Sequence, residues 1–84
     1  MKKYQVIIWF VPSITEGQLK QELAKIKDKV TKIKKVGITE LAYSTRHKNS
    51  IIYPMAYVVK AITTSKDIEQ TSNMIDIKFI DMGG

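Results

Sequence analysis

The sequence predicts an α+β domain, a four-stranded antiparallel sheet backed by two helices, from three observations. An apolar, β-branched run opens the chain at Tyr4 to Val11, a helical stripe begins at Glu16, and a polar stretch at Ser44 to Ser50 separates two β-prone segments. All of it belongs to one domain, residues 1–84, because no repeat, low-complexity tract or Gly/Ser/Pro-rich linker divides the chain. A domain of 84 residues hides only about 60% of the surface its open chain exposes, which leaves one modest core and no room for a deep catalytic cavity.

Each element follows from its residues. Tyr4 to Val11 is a strand closed by Pro12, which removes a backbone donor, and its continuous hydrophobicity predicts a central strand buried on both faces. Leu19, Leu23, Ile26, Val30 and Ile33 recur at alternating spacings of four and three, the stripe of an amphipathic helix, with Thr15 or Ser13 as its cap and Glu16 in its first turn. Lys32 to Lys35 interrupt that stripe, so the switch out of helix falls between Lys29 and Thr31. After Gly37, Ile38 to Tyr43 reads as the second strand, with Leu41 and Tyr43 on one face and Ile38, Glu40 and Ala42 on the other.

Ile51 to Ile62 is the third strand, joined to the second by a long hairpin with a cationic tip. Pro54 cannot donate to a ladder, so that strand is expected to be an edge there, to be bulged, or to turn its free side elsewhere. Thr64 with Asp67 three residues on matches a capping box, and Ile68, Thr71 and Met74 or Ile75 predict a second helix of two to three turns before a last strand from Ile75 to Met82. Strand, helix, strand, strand, helix, strand is the ferredoxin-like split βαβ arrangement, βαββαβ.

Charge and composition narrow the functions. The chain carries 14 Lys+Arg against 8 Asp+Glu, a net charge of +6, which favours anionic partners. No cysteine is present, so there is no disulfide frame, thiolate nucleophile or cysteine-built zinc site. His47 is the only histidine and is flanked by positive charge, which argues against a metal site. The longest apolar run, Val6 to Val11, is far short of the roughly 20 residues of a membrane helix. Pro12 to Gly17 contains no arginine for an anion-cradling catalytic loop, and no paired carboxylates or Ser/His/Asp set occurs elsewhere. The expectation is a protein that is no enzyme, with no cofactor, small-molecule substrate or membrane partner.

A further series narrows the reading. Lys3-Tyr4-Gln5 opens the first strand, Pro12 closes it, Val36-Gly37 precedes Glu40-Leu41-Ala42-Tyr43, a basic hairpin tip follows, and Asp76-Ile77-Lys78 lies in the last strand. Nearly the whole chain thereby resembles the ribosomal protein six family of the bacterial-type small subunit, as a divergent, shortened member. Ser44 stands where the family usually has proline, and both helices are abbreviated. The resemblance implies a structural constituent of the small ribosomal subunit that binds the central domain of its ribosomal RNA and pairs with ribosomal protein eighteen. The shortened helices lean this toward the mitochondrial matrix over the bacterial cytoplasm.

Two sets of residues carry those expectations. Lys2, Lys3 and Tyr4, the hairpin residues Arg46, His47 and Lys48, and Lys78 in the last strand are the candidates for RNA contact. Trp9, Tyr43, Tyr53, Met55 and Tyr57 are the candidates for a protein partner, or for core packing. The run from Lys25 to Lys35 is first read as a solvated helix flank. The basic-Gly-aromatic signature of a base-stacking RNA-recognition sheet is absent, and the competing reading is a small regulatory or ligand-binding module that self-associates through its sheet. Replacing Arg46 and Lys48 by Ala is expected to weaken RNA-dependent assembly and flatten its salt dependence, since fewer counterions are released; an unchanged slope in a binding titration would remove the hairpin tip from the RNA contacts.

Overall fold

The computed structural model describes residues 2–46 and 52–83. Along the chain these form β1 (Tyr4–Phe10), α1 (Glu16–Ile26), β2 (Val30–Arg46), β3 (Ile52–Thr63) and β4 (Met74–Asp81). The strands make one antiparallel sheet in the order β2-β3-β1-β4. Both edges of β1 are therefore paired, and β1 and β2 run parallel with β3 between them.

Period-two geometry divides β1 between two faces. Val6, Ile8 and Phe10 are completely buried toward α1, whereas Gln5, Ile7 and Trp9 are half-buried on the outer face. The continuous apolar run thus buries one face fully and the other in part, because the helical layer lies on one side only. Val59 and Ala61 of β3, Leu19 and Ile26 of α1, and Val30, Ile68 and Met74 complete the core.

Thr15 caps α1. Its Oγ1 accepts the Gln18 amide at 3.2 Å, and the Gln18 side chain accepts the Thr15 amide at 3.0 Å, a reciprocal box that satisfies two donors at the helix start. The helix stops at Ile26 and the chain is extended again from Val30, at the switch the lysine run predicts. The second strand consequently begins eight residues before Ile38, and Val30 and Ile33, which continue the helical spacing, belong to it. Lys32 takes a left-handed φ of 52° and Gly37 one of 99°, each beside a break in the β2–β3 register. A third break lies between Glu40 and Thr45, opposite the Pro54 position on β3 and beyond the end of β1. Proline here occupies the bulged part of the hairpin, where a missing donor disrupts least.

The second helix is absent: among the described residues α1 is the only helix, and 64–73 is irregular. Side-chain oxygens there compete for the amides a helix would use. The Thr63 hydroxyl accepts the Ser65 amide at 3.1 Å, and the Ser65 hydroxyl accepts the Asp67 amide at 3.1 Å. Tertiary bonds then fasten the segment. Lys29 Nζ donates to the Asp67 carbonyl at 2.7 Å, the Gln70 amide donates to the Ile75 carbonyl at 2.9 Å, and the Thr71 hydroxyl donates to Glu22. The Glu22 carboxylate is only 4% exposed and also accepts from Lys25 Nζ at 3.3 Å.

Removing the Thr71 hydroxyl leaves a buried carboxylate short of a donor. Thr71→Val is expected to lower unfolding free energy by about 1–3 kcal/mol, read as an earlier urea midpoint. A midpoint equal to wild type would show that Glu22 does not hold this segment.

Candidate nucleic-acid interface

Register places the lysines of three strands in one line across the outer face. Lys34 of β2 lies opposite Lys60 of β3, Lys60 opposite Ile7 of β1, and Ile7 opposite Lys78 of β4. Their neighbours along each strand confirm the face: Val59 and Ala61 belong to the core, and Ile77 and Phe79 pack against it, so Lys60 and Lys78 point away from α1. Directly opposed residues hold their Cβ atoms about 4.5–5.5 Å apart, which puts the Lys34 and Lys60 stems side by side.

Lys32 joins this row from its left-handed bulge. It lines a shallow depression of about 280 Å³ together with Gln5, Lys34, Lys60, Ala61 and Ile62. A left-handed backbone at a residue with a Cβ costs about 1–2 kcal/mol, and like charges directly opposed across strands are destabilising. Among the described residues the ion pairs are Lys25–Glu22 and Lys29–Asp67, and neither involves Lys32, Lys34, Lys60 or Lys78. Four ammonium groups on a free, shallow surface suit a chain of phosphates, which accepts point charges along a line without requiring an enclosed pocket.

The next row along the sheet has a different character. Gly37, Val58, Trp9 and Asp76 lie opposite one another in turn. Val58 is 5% exposed although α1 is on the other face, and Asp76 is held by its own strand, its Oδ1 accepting the Ile77 amide at 2.8 Å. The outer face thus presents a cationic row and, one step along, a row without lysine in which Trp9 lies between Val58 and Asp76.

The residues singled out from the sequence are distributed otherwise than expected. Of the RNA candidates, Lys78 is in the cationic row. Lys2 and Lys3 are exposed ahead of β1, at the end where Tyr4 meets Thr63. Tyr4 does not join Lys78, because odd and even positions of a strand face opposite ways; it lies on the α1 side, with Lys66 Nζ 4.9 Å above its ring centre. Arg46 ends β2 at the far end of the hairpin, while His47 and Lys48 fall outside the described residues. From Thr63 to Ile52, β3 covers on the order of 35 Å, so the N-terminal lysines and the hairpin tip cannot form one compact patch.

The protein-partner candidates also separate. Trp9 is on the outer face, but Tyr57 lies opposite Phe10 and packs against the core beside Ile14 and Leu19. Met55 shares the Tyr57 side of β3 and is 41% exposed beyond the end of β1, near Ile38, which is 50% exposed. Tyr43 and Tyr53 belong to that same hairpin extension. Trp9 and Tyr57 therefore cannot serve one interface. Lys60 was not among the residues singled out from the sequence, and Lys32 and Lys34 stood there only within the lysine run read as a solvated flank. The available signal was Lys60 itself, a single charge between Val58 and Ile62 in an otherwise apolar strand.

No protein-family model matches the chain, and no curated protein matches it.

The cationic row sets stability against binding. Lys34→Glu replaces a like-charge pair with an opposite one and is expected to raise stability by about 0.5 kcal/mol at low salt, the gain fading as salt is added, while retention on immobilised heparin falls. A variant that loses stability, or that binds heparin as wild type does, would show that Lys34 and Lys60 do not share a surface.

Proposed function

We propose that this protein is a structural constituent of the small ribosomal subunit, without catalytic activity, that binds its ribosomal RNA through the outer sheet face. The observation that carries the reading is the cationic row of Lys34, Lys60 and Lys78 with Lys32 beside it. The arrangement is costly for the free domain, and phosphates would neutralise it.

The ribosomal assignment rests on the series of short motifs, and their placement supports it. Leu41-Ala42-Tyr43 follows Gly37 within the strand that leads into the hairpin, and Asp76-Ile77-Lys78 lies in the strand beside β1. An antiparallel sheet in the order β2-β3-β1-β4 with one helix on one face supports a ferredoxin-like reading, in which a tethered irregular segment takes the place of the second helix. In this reading the central domain of small-subunit RNA occupies the outer face. Ribosomal protein eighteen docks on the hairpin extension, where Ile38 and Met55 are exposed, and the setting is the mitochondrial matrix.

Sedimentation of the tagged protein from its own cells tests this directly. Retention in the small subunit through a moderate salt wash is expected. The triple change Lys34→Ala, Lys60→Ala, Lys78→Ala is expected to release it at lower salt, with the slope of log K against log salt falling by roughly 2 for three lost single-strand phosphate contacts. Migration as a free dimer carrying no RNA would replace this reading with self-association through the sheet.

A further inference from the structure

The Trp9 row assigns a form to the RNA, an inference that rests on the function proposed above. We infer that the outer face takes an unpaired segment of RNA, with one base stacked on Trp9 and its flanking phosphates on Lys60 and Lys78. Three features of the sheet lead to this.

The first is position. Trp9 lies opposite Val58 and Asp76, while Lys60 and Lys78 lie opposite Ile7, two residues back along β1. Both lysines are consequently diagonal neighbours of Trp9, about 7–8 Å away. That separation matches the step from a stacked base to its own backbone, and the long lysine stems supply the adjustment.

The second is access. Gly37, at the β2 end of the Trp9 row, has no side chain, and a Cβ built there would meet nothing within 4 Å. Between Gly37 and Trp9 that row holds only Val58, and α1 lies on the opposite face. Trp9 itself is half-buried, so it is supported by the sheet and still open to solvent.

The third is the sorting of charge. The Trp9 row carries a carboxylate, Asp76, and no lysine, whereas the neighbouring row carries lysines and no carboxylate. Phosphate is repelled from the first row and attracted to the second. A base has no net charge and a π-face that stacks on indole irrespective of sequence. Duplex RNA cannot use such a surface, because its bases are already stacked on one another and its phosphates would have to meet both rows.

Trp9 is the only tryptophan of the chain, so its emission reports this contact alone. The full-length protein is titrated with a short mixed-sequence single strand and with the duplex of equal length, following labelled-RNA anisotropy and tryptophan emission together. Single-strand binding with saturable quenching is expected, and duplex binding that is weaker and leaves emission unchanged. Trp9→Leu is expected to weaken single-strand binding by about tenfold or more with little effect on duplex binding, and Trp9→Phe to retain most of the affinity. The lysine triple variant keeps the quenching at saturation but reaches it at higher RNA concentration.

Binding of both RNAs without quenching would overturn the stacking inference and leave the cationic row standing. No binding of either would remove both readings. A concentration-dependent blue shift without RNA would assign Trp9 to contact between copies of the chain instead. Should Trp9→Leu fail to fold, the wild-type emission and the Trp9→Phe variant decide the matter.

Discussion

The two-sided pairing of β1 is the constraint on which the rest of the structure depends. With β3 on one edge and β4 on the other, no residue of this seven-residue strand can shift register without moving its neighbours on both sides. Val6, Ile8 and Phe10 are thereby fixed against α1, and Ile7 and Trp9 are fixed outward. Placement of the lysines follows from the same alternation: Lys60 and Lys78 are both opposite Ile7, so the strand that organises the core also aligns the charges on the reverse side. Core and surface share one register.

Much of the architecture was legible because it rests on local chemistry. The first strand, the Thr15 cap, the helix through Leu19 and Ile26, the hairpin and the last strand follow from periodicity and capping. The second helix was not legible. Thr64, Asp67 and Ile68 have helix-start spacing, but Ser65 and Thr63 engage the local amides, and Glu22 and Lys29 draw the segment into tertiary bonds that no local window contains. The early start of β2 was obscured for a related reason: Val30 and Ile33 continue the helical spacing, whereas the pairing of Val30 with Thr63 draws the chain into the sheet and leaves Ile33 exposed within a break in register.

Candidate sites were less legible than elements, since a site depends on which strands become neighbours. Lys78 was singled out from its motif alone, whereas Lys34 and Lys60, separated by 26 positions in the chain, come together only once β2 and β3 pair. The same dependence separates Trp9 from Tyr57, which look alike in sequence as aromatics in apolar strands. Parity sends one to the open face and the other to the core.

The irregularities of β2 bear on how this domain survives at high concentration. A strand of 17 residues at the border of a sheet offers a long series of backbone donors and acceptors to any extended chain, and Ile33, Val36 and Ile38 are exposed along it. Uninterrupted, such a border would template the addition of strand upon strand. Left-handed turns at Lys32 and Gly37 and three breaks in register divide it into short pieces that point in different directions, with Lys32, Lys34 and Lys35 interspersed. An incoming strand would find only a few consecutive partners before the ladder ended, and each further copy would bring more positive charge to the same border. The bulges beside Lys32 and Lys34 on the outer face therefore also act as a barrier to polymerisation.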